Sequence, residues 1–132
     1  MRYLLDTNVL CDLIRNPEGR IMQKIREVGE QNICTSIIVT AELRYGAAKQ
    51  QSPRLAAQLD AVLGAMDVLP FAAPADAIYG RLRHQLEQAG KLIGANDLLI
   101  ASHAMAAGLT VVSDNEREFS RIDELPCENW LR

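Results

Sequence analysis

No apolar run in the sequence approaches the ~20 residues that span a bilayer, and Asp6 interrupts the opening hydrophobic stretch before a signal-peptide core could form. The chain is therefore expected in the cytoplasm, without a membrane partner. Cysteine is scarce: Cys11, Cys34 and Cys127 are odd in number and far apart, which suits reduced thiols and argues against a disulfide framework. Histidine is scarcer still. His84 and His103 stand alone, with no His-Glu-x-x-His pattern and no cysteine at zinc spacing, so one is expected on the surface and the other partly buried on a helix. An excess of positive charge is missing too. The 14 basic and 17 acidic residues leave a net charge of -3, which argues against bulk, nonspecific attraction to nucleic acid. Setting aside four carboxylates clustered on a metal leaves 13 acidic against 14 basic residues, so net charge leaves a nucleic-acid substrate open.

What is present is an ordinary globular balance, 48% hydrophobic and 23% charged, in a length that fits one domain over residues 1–132 with one core. Tyr3, Leu4 and Leu5 read as a short buried strand, and Val9, Leu10, Leu13 and Ile14 recur at helical spacing, so Asp6 falls at a strand-to-helix turn. In open α/β sheets that end of a strand is where ligands bind. Asp6 or Thr7 could equally cap the helix and complement its dipole. Asn16-Pro17-Glu18-Gly19 is a turn, followed by a helix through Ile21, Met22, Ile25 and Val28 that ends near Gly29. Asn32 to Thr35 predicts a second strand, and Ser36 caps a helix running to about Lys49.

On that helix Ile38, Ala41, Tyr45 and Ala48 define an apolar stripe, and Glu42 falls among them. A carboxylate on a core-facing stripe needs a cation, an Arg or a cleft beside it; the alternative is a Glu at the stripe's edge reaching solvent. A helix near Pro53 carries Leu55, Ala56, Leu59, Val62, Leu63 and Met66 on a face suited to the core or a dimer surface. Asp67 to Phe71 predicts a third strand, and Pro74 opens a long helix with Arg81, Arg83 and His84 on its exposed side. The stretch Gln88 to Asn96, with Gly90, Lys91 and Gly94, is a loop into a helix beginning near Ala95 or Asn96 and ending at Gly108. Asp97 sits in its first turn, on the stripe of Ile100, Ala101 and Ala104. There Asp97 is either a dipole-stabilising residue, with Asn96 free to cap, or a ligand. Leu109 to Val112 is a fourth strand, again followed by carboxylates, in Ser113-Asp114-Asn115-Glu116-Arg117-Glu118. The tail from Arg121 to Arg132 predicts a loop and a short edge strand.

Short strands alternating with helices imply a three-layer α/β/α sandwich with a mainly parallel central sheet. Such a sheet gathers its strand C-termini on one edge, where Asp6, Glu42, Asp97 and the 114–118 cluster would meet. Carboxylates brought together raise one another's pKa unless a cation neutralises them, and an oxygen-only ligand set selects Mg²⁺ or Mn²⁺ over zinc or copper. Ions of that kind activate water and stabilise an in-line displacement at a phosphodiester. The residues thus point to a metal-dependent nuclease.

Three stretches carry a resemblance. Leu4-Leu5-Asp6-Thr7-Asn8 resembles the opening motif of PIN-domain ribonucleases, among them the VapC toxins of bacterial toxin-antitoxin pairs; Ser36 to Ala47 resembles that family's helix bearing Glu42; and Asp97-Leu98-Leu99-Ile100-Ala101 is similar to its third motif. The resemblance covers nearly the whole chain. It implies a PIN fold and a Mg²⁺-dependent endoribonuclease in which Asp6, Glu42 and Asp97 form the acidic triad, with Thr7 or Ser36 supplying hydroxyls and Asn8 beside them. The fourth motif departs from the family's pattern of Thr, one residue, then Asp or Asn, since this chain has Ser113-Asp114-Asn115. Alignment puts Asn115 there with Glu118 one turn later, and Asp114 competes. The resemblance further implies a VapB-type antitoxin covering the cleft with an Arg on the carboxylates, a homodimer within a larger assembly with antitoxin, and structured RNA, including initiator transfer RNA, as substrate. Arg81, Arg83 and Lys91 are candidate phosphate contacts. Two rivals remain at this point: a catalytically silent PIN-like RNA- or protein-binding module, and a phosphatase with Asp6 as nucleophile, which would need an Asp where Asn8 stands.

Overall fold

The computed structural model describes residues 1–132. Five strands, β1 (Tyr3–Leu5), β2 (Ile33–Ser36), β3 (Asp67–Leu69), β4 (Thr110–Val112) and β5 (Cys127–Glu128), form one sheet of order β3-β2-β1-β4-β5 in which every pairing is parallel. The connections are helical: α1 (Thr7–Arg15), α2 (Arg20–Val28), α3 (Ile37–Gln50), α4 (Pro53–Gly64), α5 (Ala75–Gln88), α6 (Ala95–Ala107) and the short α7 (Glu116–Phe119). Parallel strands require such crossovers, and their right-handedness puts the helices of the first two connections on one face and the later ones on the other. The packing agrees, with α1 against α2, α3 and α4, and α6 against α5 and α7. This is the α/β/α sandwich that the alternation of elements predicts.

The central strands are buried on both faces. Leu4, Leu5, Val111 and Val112 have no exposed surface, and each such side chain contributes roughly 1.5–3 kcal/mol on leaving water. Tyr3 pairs with Ile33 on one side and Thr110 on the other. Strand order reverses between β1 and β4, because the chain first builds outward through β2 and β3 and then returns to add β4 and β5. The backbone N–H of Asp6 donates to Val112 O at 2.9 Å and that of Ser113 to Glu128 O at 3.0 Å, so ordered backbone continues past the strand ends into the crevice where ligands bind in such sheets.

Two readings of the sequence need correction. The buried stripe of α3 is Val39, Thr40, Leu43 and Ala47, whereas Ala41 and Ala48 are exposed and Tyr45 is 68% exposed. Helix α3 is apolar on nearly every side, so periodicity alone could not say which stripe faces the core. Asn32 belongs to a 3₁₀ turn (Glu30–Asn32) instead of β2; its Nδ2 donates to Val28 O at 2.7 Å and closes the end of α2. The three cysteines are free thiols, His84 is exposed and His103 buried.

Candidate active site

Asp6 leaves β1 as the N-cap residue of α1, and its position there is over-determined. Its Oδ1 accepts from the Thr7 backbone N–H at 2.8 Å, and its Oδ2 accepts from the Ser113 hydroxyl at 2.7 Å. Capping and site formation therefore coincide in one side chain. Asp6 is only 3% exposed. Burial raises its pKa above the usual carboxylate value, opposed by the hydrogen bonds from Ser113 and Thr7.

Ser113 ties the two central strands together at the crevice. Its hydroxyl donates to Asp6 and accepts the Asn115 N–H at 2.8 Å, which turns the chain leaving β4 back over the site. Asn115 Nδ2 then donates to Asp97 Oδ2 at 2.7 Å. A chain of contacts thus runs Asp6, Ser113, Asn115, Asp97, joining β1, β4 and the first turn of α6. Asn8 adds a strut by accepting the Asp114 N–H at 3.1 Å. Glu42 arrives from α3, half-buried at the edge of the core stripe, and its Oε1 accepts from the Thr7 hydroxyl at 3.1 Å.

These groups border an open cleft of about 520 Å³, lined by Asp6, Thr7, Asn8, Cys11, Arg15, Glu42, Asp97, Asp114 and Asn115. Its electrostatics are read most clearly at Asp97, whose pKa is pushed up to about 6 by burial and by the negative charges of Asp6, Glu42 and Glu118, against a hydrogen bond from Asn115. Such a cluster stores repulsion that a cation would relieve. The donors are all oxygen, and Asp97 Oδ1 and Glu42 Oε2 accept no hydrogen bond, so their chemistry suits a hard divalent ion. In the present side-chain arrangement no three His, Cys, Asp or Glu side chains form a complete ligand group. The carboxylates border the cleft from different walls without closing on one point.

The remaining sequence-selected residues separate. Glu118 does not line the cleft but stands near enough to raise the pKa of Asp97, and its Oε2 is 3.9 Å from Arg121. Asp114 borders the cleft, exposed, with Oδ1 accepting from Asn129 at 3.0 Å. Ser36 lies elsewhere: fully buried, it caps α3 through the Ile38 N–H and lies 2.7 Å from His103 Nδ1. It supplies no hydroxyl to the cleft. No side chain caps α6, where Gly94 is the N-cap, so Asp97 also faces that helix's dipole unassisted by Asn96. Arg81, Arg83 and Lys91 are exposed and outside the cleft wall; Arg83 bonds Glu87 and Tyr79, and Arg81 lies 3.8 Å from Glu124.

Ser113, Cys11 and Arg15 are the site residues that sequence reasoning did not assign. Cys11 and Arg15 follow Asn8 on α1 at i+3 and i+7, a spacing that marks one face of the helix and could have found them. Ser113 carried only the weaker signal of a hydroxyl directly after a buried strand.

A crevice at the reversal of a parallel sheet, walled by carboxylates from β1, α3 and α6, defines a class of acidic-cleft α/β proteins. The family comparison narrows it. The PIN domain model matches residues 3–125. Ribonuclease VapC2 of Rickettsia felis is 41% identical over 98% of this chain and 98% of its own length, and the tRNA(fMet)-specific endonuclease VapC of Shigella flexneri 34% identical over 98% of each. The crystal structure of VapBC2 from Rickettsia felis bound to a DNA fragment from their promoter superposes with a TM-score of 0.91 at 41% identity, covering 98% of this chain and 99% of that one. The chain belongs to the PIN-domain family, among the VapC ribonucleases. PIN-domain nucleases are generally dependent on a divalent metal.

Proposed function

We propose that the protein is the toxin of a type II toxin-antitoxin pair, an endoribonuclease that cuts RNA with Mg²⁺ or Mn²⁺ and leaves 5′-phosphate and 3′-hydroxyl ends. The observation that carries this reading is the meeting of Asp6, Glu42 and Asp97 at one cleft, where burial and then the charges of its acidic neighbours raise Asp97 to about 6. Asp6, Asp97 and Glu42 would hold the ion. When bound, a divalent ion supplies the charge that acidifies water and stabilises the developing oxyanion of an in-line displacement. The protein's own part is orientation. Ser113 and the Thr7 backbone fix both oxygens of Asp6, Asn115 fixes one oxygen of Asp97, and the Thr7 hydroxyl fixes one of Glu42, which leaves the unbonded oxygens aimed by neighbours that are themselves packed. Glu118 adds negative charge that strengthens cation binding without bordering the cleft.

The relatives supply the biological setting. One is a tRNA(fMet)-specific endonuclease, and solved structures of similar chains are VapBC complexes bound to DNA. By that likeness the substrate is a transfer RNA, initiator transfer RNA first among those to try. The partner is a VapB-type antitoxin that places an Arg on the carboxylates, in an assembly built on a toxin homodimer. Arg81, Arg83 and Lys91 would meet RNA outside the cleft, the two arginines by exchanging their present partners for phosphates. No helix is long and apolar enough to cross a membrane, and the protein is proposed to act in the cytoplasm.

The test is cleavage of a transfer RNA transcript by purified protein with Mg²⁺, with a chelator, and with Asp6→Asn or Asp97→Asn. Cleavage should require the metal and be lost in both variants. Undiminished cleavage by both would overturn the assignment.

A further inference from the structure

The cleft is not acidic from end to end. Asn8, Cys11 and Arg15 succeed one another along α1 and all border it, so this helix forms a continuous wall from the Asp6 end outward. Arg15 is the one cation among the lining residues. It stands eight residues beyond Thr7, ~12 Å along the axis, and helix side chains lean toward the N-terminus, which for Arg15 is the direction of the carboxylates.

Its guanidinium is also uncommitted. Arg15 is exposed and has neither an ion pair within 4 Å nor a side-chain hydrogen bond, although Asp6, Glu42, Asp97 and Asp114 border the same cleft. Arg81, Arg83 and Arg121, by contrast, each face a Glu. The positive charge nonetheless reaches inside: it opposes the rise that burial imposes on the Cys11 thiol.

We propose that Arg15 binds an RNA phosphate adjoining the scissile one and holds the strand along α1. This deepens the ribonuclease reading and rests on it. An anionic strand entering a cleft lined by four carboxylates meets repulsion at the metal end, and a cation at the far end offsets it without occupying the carboxylates. Guanidinium matches phosphate in a bidentate fork, and an Arg with no internal partner has no pair to break on binding. The ordinary role of a basic residue in a last helical turn, complementing the dipole, involves neither RNA affinity nor its salt dependence.

The experiment compares wild type, Arg15→Ala and Arg15→Lys on a transfer RNA transcript in Mg²⁺ over a salt series. Arg15→Ala should raise KM about tenfold, with kcat little changed, as expected for loss of one charge-assisted contact. The slope of log(kcat/KM) against log[salt] should shrink by about 0.7–0.9, the share of one phosphate. Arg15→Lys should restore most of the slope and only part of the KM. Unchanged KM and slope in Arg15→Ala would overturn the proposal, including the case in which the variant only loses antitoxin binding. A fall in kcat at constant KM would overturn it as well. Failure of the ribonuclease reading is visible separately, as a wild type that does not cut. Binding of the same transcript in chelator then decides on Arg15: a shallower salt slope in Arg15→Ala supports it, and identical slopes refute it.

Discussion

Neutralising Asp97 should make the metal-free protein more stable while destroying its proposed chemistry. The carboxyl of Asp97 is raised from 3.8 to about 6 by burial and by the charges of Asp6, Glu42 and Glu118. A rise of about two units corresponds to ~3 kcal/mol against the ionised form. Asp97 is only partly buried, so solvent screening reduces the net to ~1 kcal/mol. Between pH 3.8 and about 6 the folded chain holds a proton that the unfolded chain has released, so this contribution weakens stability as pH rises and is fully felt above 6. Asp97→Asn removes the charge but keeps an oxygen able to accept from Asn115 Nδ2. In chelator at pH 7.5 the variant should melt ~4 °C higher, using about 2.1 cal/mol/K per residue for the unfolding entropy. At pH 4 the difference should nearly vanish. Comparing variant with wild type cancels His103, whose pKa burial lowers and whose protonation destabilises the fold as pH falls. Mg²⁺ should then raise the melting point of wild type more than that of the variant. Calorimetry at the two pH values checks this. A variant no more stable than wild type at pH 7.5, or a gap independent of pH, would refute the electrostatic reasoning.

Other outcomes follow from the same geometry. Asn115→Ala and Glu118→Gln should each weaken cleavage more than Asp114→Asn, because the first loses the contact to Asp97 and the second a charge that attracts the cation, whereas Asp114 is turned to Asn129; relative kcat/KM values measure this, and the reverse ranking would place the fourth position at Asp114. Ser113→Ala leaves the Asn115 N–H and Asp6 Oδ2 without their partner in a buried setting, which should cost ~1–3 kcal/mol in denaturant unfolding and depress cleavage together. Ser36→Ala should cost a comparable ~1–2 kcal/mol through the lost α3 cap, yet leave cleavage by the folded protein near wild type, since Ser36 does not border the cleft.

Local pattern carried the reading of the sequence furthest where one short-range signal sufficed. The strand at Tyr3–Leu5, the turn at Asp6 and the first-turn position of Asp97 were legible from periodicity and helix starts alone. Glu42 sits at the edge of the buried Val39 and Leu43 stripe, lining the cleft, and α3 has no single apolar face from which this could be deduced. Ser36 shows the opposite failure. Its capping role is readable from sequence, but the packing that buries its hydroxyl against His103, away from the cleft, is a tertiary fact. The four-residue α7 has too little length for a periodic signal, and the Ser113 link between Asp6 and Asn115 spans 107 residues of sequence on one side and two on the other. Pairings at that separation exist only once β1 and β4 lie side by side.

The central claim is that Asp6, Glu42 and Asp97 hold a divalent ion at the reversal of the sheet. Anomalous diffraction from crystals soaked in Mn²⁺ tests it most directly. The expected result is a peak in the cleft within coordination distance of Asp6 and Asp97, absent in Asp97→Asn. A protein that cleaves RNA with Mn²⁺ while its only peaks lie outside this cleft would contradict the account.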